Sequence, residues 1–253
     1  MPTKTDKPLG HAHYGSIPHL PGSRLGVGDH HCHPGQAAIA TQRTRDRFDR
    51  VIVQCKLDGS NVGVARIGDN IVALGRAGYR ADTSPYRQHH LFAQWVTARV
   101  GLFQALLADG ERLAGEWLAQ VHGTRYAARD DLFVVFDILR SHTRSCWPEV
   151  RARIEGYFPL PSQLGDTPMT PEDAMIVQGA GRHGEMDRPE GAVWRVERNV
   201  GAAKGKVDDW RVDFLVKYVR PDKVDGAYLP QITGRDTEWN GSALALEAPC
   251  PTP

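Results

Sequence analysis

The chain has 253 residues, 41% of them hydrophobic, and its 31 Lys and Arg against 30 Asp and Glu leave a formal net charge of +1. Near-cancelled charge with plentiful apolar residues excludes a disordered chain, and the lack of any apolar run approaching ~20 residues excludes a bilayer-spanning helix, so no membrane partner is expected. The same balance argues against a protein that grips nucleic acid by bulk positive charge.

The N-terminus, MPTKTDKPLGHAHYG, has no apolar core of the kind a secretory signal needs. Cys32, Cys55, Cys146 and Cys250 are far apart and form no C-x-x-C pair. Reduced thiols and a cytoplasmic protein are the expectation.

Residues 1–30 are rich in Gly, Pro and His without a period, and read as an extended or irregular arm. Val51–Cys55 is a short apolar, β-branched run, a buried strand. Asn61–Arg66 and Ile71–Arg76 flank Gly68-Asp69-Asn70 and predict a hairpin. Residues 85–108 predict one long helix, with Ser84 as cap, Pro85 at its first position and Gly110 just past its end. Leu91, Phe92, Trp95, Val96, Val100, Phe103, Leu106 and Leu107 give it one apolar stripe, read as core. Strands are expected at Arg112–Gln120 and Leu132–Leu139, then a short helix at Cys146–Gly156 and a helix start at Thr170-Pro171. Ala192–Arg198 and Trp210–Tyr218 alternate as half-buried strands do, and a turn-rich stretch and Pro-rich tail follow Pro221. Hairpins mixed with helices predict an α+β fold rather than a doubly wound sheet.

Three motifs invite chemistry that their context does not support. Gly179-Ala180-Gly181-Arg182-His183-Gly184 matches a dinucleotide fingerprint, but Pro189 and Gly191 forbid the helix that must follow, so it reads as a loop. Gly201-Ala202-Ala203-Lys204-Gly205-Lys206 lacks the hydroxyl that ends a phosphate loop, and reads as a basic connector. His30-His31-Cys32-His33 offers zinc-type ligands, yet adjacent residues on an extended chain cannot converge on one ion, so a polar loop is expected.

The strongest signal is Lys56-Leu57-Asp58-Gly59-Ser60-Asn61. A lysine delivered by a buried strand is either a snorkelling surface residue or an amine with a lowered pKa, the form a lysine nucleophile needs. Gly59 would let a backbone approach a phosphate closely, and Asn61 offers both a donor and an acceptor. Later pieces follow in order: Gly75-Arg76; Gly115-Glu116-Trp117-Leu118; Phe133 to Ile138 with Phe136 and Asp137; Pro189-Glu190-Gly191; and Val212 to Arg220 with Lys217.

Taken together, residues 54–220 resemble the covalent nucleotidyltransferase superfamily of ATP-dependent ligases and mRNA-capping enzymes, matching its motifs I, Ia, III, IIIa, IV and V in order. Asn61 in K-x-D-G-S-N makes the RNA ligase branch the most similar. The resemblance implies a nucleotidyltransferase (ATP-grasp-like ligase adenylation) domain of antiparallel sheets with flanking helices. The expected layout is an arm at residues 1–35, this domain at 36–225 and an extension at 226–253.

It also implies an ATP-dependent RNA ligase that forms a lysyl-AMP on Lys56, passes AMP to an RNA 5′-phosphate and seals a 3′-hydroxyl. Gln54, Asp58, Gly59, Asn61, Arg76, Glu116 and Arg220 would border the nucleotide. Phe136 would stack on adenine or else serve as a core aromatic. Glu190 and Asp58 would hold Mg²⁺ or Mn²⁺. Lys217 would steady the α-phosphate and help depress the pKa of Lys56; the plainer reading of Glu190 and Lys217 is a surface pair worth little.

The chain departs from the family's pattern at Cys55, where many RNA ligases carry glutamate, and Gln54 is expected to substitute. It departs again at Val219, where a second lysine is common. Only 33 residues follow Arg220, so a minimal ligase, or one relying on a helper protein for RNA ends or nicked RNA, is expected. The alternatives are a small DNA ligase, a capping-type guanylyltransferase, or a nucleotide-binding module that does not ligate.

Overall fold

The computed structural model describes residues 7–127 and 131–241. The Pro-rich tail and Cys250 lie outside the described residues.

Among the described residues, nine strands form two antiparallel sheets. The first has the order β7 (Gln163–Gly165), β1 (Asp49–Lys56), β8 (Gly191–Asn199), β9 (Trp210–Val219). The second runs β3 (Asn70–Gly75), β2 (Ser60–Ile67), β4 (Glu111–Trp117), β5 (Phe133–Arg140), β6 (Thr143–Arg144). The expected strands are all present, within one to three residues at their ends. The short strands β6 and β7 were not foreseen.

Each sheet has its own apolar core. α2 (Arg87–Thr97), α3 (Val100–Leu106) and α4 (Trp147–Ile154) bury Phe92, Trp95, Phe103 and Val150 with Trp117, Phe133 and Ile138 of the second sheet. α1 (Pro34–Thr41) and α5 (Pro171–Gln178) bring Ala37, Ala40 and Ala174 against Val51, Val53, Trp194 and Val216 of the first. The short helix α6 (Pro230–Thr233) lies in the C-terminal segment.

The single helix expected over 85–108 is two helices, broken at Ala98–Arg99. Arg99 has φ −125° and ψ 19°, and its guanidinium sits 4.5 Å above the Trp95 ring. Packing explains the break. Eight residues of continuous helix span about 12 Å, yet the Trp95 and Phe103 rings are 5.9 Å apart and both meet Phe158. Ser84 is not the helix cap; Tyr86 is, while Ser84 Oγ accepts from Tyr86 N and meets His89 Nδ1. Thr170 does cap α5, accepting from Asp173 N at 3.1 Å.

The N-terminal segment is irregular, but it is part of the packed structure. Lys217 N donates to Pro18 O, Leu20 N to Lys217 O and Arg24 N to Val219 O, so residues 18–24 cover the outer edge of β9. An edge strand is thereby shielded from other chains. His13 is fully buried against Gly63, where a side chain of any size would collide with the imidazole, and burial takes its pKa down to about 3. His33, from the His-His-Cys-His run, caps α1 by accepting from Gly35 N. Among the described residues no three His, Cys, Asp or Glu side chains are grouped to hold a metal. Gly179 ends α5 and the chain stays irregular up to Glu190, while Ala202–Lys204 is one helical turn in the β8–β9 connector. No helix among the described residues is long and apolar enough to cross a membrane.

Candidate functional site

A cavity of about 740 Å³ is lined from both sheets. It gathers Gln54, Lys56, Asp58, Gly59, Asn61, Arg76, Glu116, Phe136, Glu190 and Lys217, every expected site residue except Arg220.

Strand geometry brings them together. Lys56 ends β1, opposite Gly191 on β8, so Glu190 arrives just before that pair. Lys56 Nζ donates to Glu190 Oε2 at 2.6 Å. On the second sheet Asn61 faces Glu116 across the β2–β4 ladder, and Gly59 N donates to Glu116 Oε1 at 3.0 Å. A Cβ at Gly59 would lie 2.5 Å from the Trp117 carbonyl oxygen, so the glycine is needed for the approach of β4. Phe136 owes its place to a bulge: Ala114 pairs with Asp137 and Gly115 with Val135, leaving Phe136 as the extra residue of β5. Bulges re-aim side chains in this way. Phe136 is half-buried, lines the cavity and meets the Tyr14 ring edge-on at 5.2 Å.

Electrostatics differ from the expectation at the nucleophile. Burial opposes the charge of Lys56, but Glu190, Glu116 and Asp58 outweigh it and raise the pKa above the ordinary lysine value. The lowered pKa falls instead on Lys217, through burial and the charge of Lys56. Burial also raises Glu190 and brings Glu116 up to about 7, against the pull of Lys56. Cys55 sits in the first sheet's core, its thiol pushed up to about 12 by burial.

Glu116 carries a stability consequence. Folding raises its pKa from 4.5 to about 7, so the native protein takes up a proton between those values. The benefit of that proton is complete below pH 4.5 and is lost as the pH rises through 7. Glu116→Gln keeps an acceptor for Gly59 N without the charge. Its melting temperature at pH 8 is expected to exceed the wild type's by roughly 10 °C. The gap should close below pH 4.5, and a gap independent of pH would contradict the assignment.

Arg220 does not line the cavity. Its backbone N donates to Glu190 O and its Nε to Pro189 O, both at 3.0 Å, so it braces the segment that carries Glu190. Three further groups were not foreseen. Lys223, 2% exposed, donates to Asp58 Oδ2 and Thr124 Oγ1, each at 2.6 Å. Tyr126 Oη accepts from Asp58 N at 2.9 Å. Asp29 lies 3.7 Å from Lys217 Nζ and 3.0 Å from His19 Nε2. Gln54 Nε2 is buried without a hydrogen-bond partner among the described residues, as is Asn61 Oδ1.

Comparison with known proteins follows the same residues. The sequence profile of the RNA ligase family matches residues 49–219. Among solved structures the chain is similar to an archaeal ATP-dependent RNA ligase, with TM-score 0.44, 20% identity, and coverage of 68% of this chain and 42% of that one. It is also similar to a Naegleria gruberi RNA ligase variant with AMP and Mn, at 0.49, 16%, 80% and 59%. A second Naegleria gruberi variant, with ATP and Mn, gives 0.46, 17%, 86% and 61%. The chain thus spans from 42% to 61% of the length of these structures. No curated protein matches the sequence.

Proposed function

This chain belongs to the RNA ligase family, and from that premise we propose that it is an ATP-dependent RNA ligase whose nucleophile is the amine of Lys56. The observation that carries the reading is the part-buried Lys56–Glu190 pair lining a cavity of about 740 Å³, with Lys217 on the same lining.

In the proposed first step Lys56 Nζ attacks the α-phosphorus of ATP. One proton of the Lys56 ammonium passes to Glu190 Oε2 to free the lone pair; the N–P bond forms, the bond to pyrophosphate breaks, and the second Nζ proton leaves to water or with the pyrophosphate. Glu190 suits the first of these transfers because burial raises its proton affinity. Lys217 is placed to stabilise charge developing on the phosphate. The unpartnered Gln54 amide would meet the adenine edge while Phe136 stacks on its face. Glu116 and Asn61 would take the ribose, and Arg76 a phosphate. AMP then passes to an RNA 5′-phosphate, and a 3′-hydroxyl displaces it.

The donor chemistry at Glu190 and Asp58 fits a hard divalent cation, Mg²⁺ or Mn²⁺, because such ions take one or two carboxylates and complete their shell with phosphate and water. Bound there, the cation would neutralise phosphate charge.

A sealing comparison tests the substrate class. The full chain, given ATP and a divalent cation, is expected to join nicked RNA faster than nicked DNA. Sealing of DNA alone, or labelling by GTP in place of ATP, would overturn the reading.

A further inference from the structure

One wall of the cavity carries none of the residues assigned above to ATP. It is built by Ser60, His122, Gln88 and His89 and runs outward to Tyr86. Ser60 Oγ lies 3.4 Å from His122 Nε2, and the Gln88 side-chain amide lies 3.3 Å from the same nitrogen. Gln88 is 6% exposed, and its backbone carbonyl accepts from Trp117 Nε1 at 3.1 Å, which anchors this turn of the helix. His89 Nδ1 meets Ser84 Oγ at 2.7 Å. The Tyr86 ring meets His89 edge-on at 5.7 Å and is 53% exposed at the rim.

These five side chains carry no full charge at neutral pH. Burial lowers the pKa of His89, and His122 and His90 add to the effect. Burial likewise lowers His122, where Lys223 and Lys56 act against Asp58. A neutral imidazole, an amide and a hydroxyl can each both donate and accept. Such a surface is poorly made for phosphate, which calls for fixed cations. It is well made for a group that itself donates and accepts. The ribose 2′-hydroxyl is such a group, and it is the one that separates RNA from DNA. An exposed aromatic ring at the rim supplies a face on which a base can stack.

We propose that this wall binds the terminal nucleoside of an RNA strand beside the adenylate pocket, reading its 2′-hydroxyl through His122 and Gln88 and stacking its base on Tyr86. The inference rests on the ligase reading for the identity of the strand. It assigns the preference for RNA to a cluster outside the residues that handle ATP.

Equilibrium binding tests it. The full chain is titrated against a short fluorescent oligoribonucleotide and against the same sequence with a 2′-deoxy terminal nucleoside. The wild type is expected to favour the ribose-terminated strand by about tenfold, the size of one neutral hydrogen bond. His122→Leu should bring the ratio near one. Tyr86→Ala should weaken both ligands by about tenfold without changing the ratio. Thermal unfolding establishes that each variant is folded, and Tyr86→Ala, altered only at an exposed side chain, keeps the test valid if His122→Leu does not fold. No binding, no ribose preference in the wild type, a wild-type ratio in folded His122→Leu, or wild-type affinity in Tyr86→Ala would each overturn the inference. Labelling by ATP is read on the same preparation. A ribose preference without label removes the ligase reading alone, and label without ribose preference removes this inference alone.

Discussion

Asp137→Ala is expected to destabilise the protein by about 3–5 kcal/mol, the usual cost of leaving one member of a buried ion pair alone. Asp137 is fully buried on β5, and Arg195, 1% exposed on β8, pairs with it across the two sheets. Asp137 also accepts from Tyr14 Oη at 2.6 Å and from Arg144 Nε at 3.1 Å. Removing the carboxylate leaves a guanidinium with the Phe136 and Ser145 carbonyls, the Trp147 ring and the more distant Glu197. The same change loosens the bulge that turns Phe136 into the cavity. Chemical denaturation of the variant measures the loss, and a cost under about 1 kcal/mol would show that the pair is not what joins the sheets. Replacing both partners by apolar residues should cost less than replacing Asp137 alone, because no buried charge is then left without a partner.

The second large effect concerns rate. Glu190→Gln is expected to slow self-adenylation by roughly 10²–10⁴-fold, the range for losing a general base. Two opposing consequences of Glu190 are separable here. Its charge raises the pKa of Lys56, which holds the amine in its protonated, non-nucleophilic form. In the proposed step its buried carboxylate, which accepts the Lys56 hydrogen bond, would also take that proton. Taking Glu190 away therefore lowers the Lys56 pKa, and the alkaline rise of the rate should move to lower pH. Were Glu190 only a charge clamp, the variant would be faster at neutral pH than the wild type. A slower variant whose pH–rate limb has shifted downward is the expected result.

Much of this site could be read along the chain because apolar strands interrupted by a charged residue are conspicuous. Lys56 after VIVQC, Glu116 after Leu113-Ala114-Gly115 and Lys217 within Phe214–Val219 all stand out in this way. Arg220 differs from Lys217 because it lies one residue past the end of β9, so the strand does not direct its side chain. Lys217 faces the cavity, and Arg220 bonds back to Pro189.

Other features have no local signature. Lys223 reaches Asp58 across 165 positions and Arg195 reaches Asp137 across 58, so neither partner can be inferred from its neighbours. The break between α2 and α3 is similar: the apolar stripe continues through Ala98 and Arg99, and only the shared contact of Trp95 and Phe103 with Phe158 shows why the helix turns. The lowered pKa expected for Lys56 rested on burial and a neighbouring cation, whereas Glu190, Glu116 and Asp58, brought together from separate parts of the chain, raise it.

The most direct test of the account is chemical. The full chain is incubated with ATP and a divalent cation, digested, and its peptides are analysed by mass spectrometry. The account predicts one adenylylated peptide, with AMP joined through an acid-labile bond to Lys56, and no adduct in Lys56→Arg. An unmodified Lys56, or AMP carried on another residue and retained in Lys56→Arg, would contradict it.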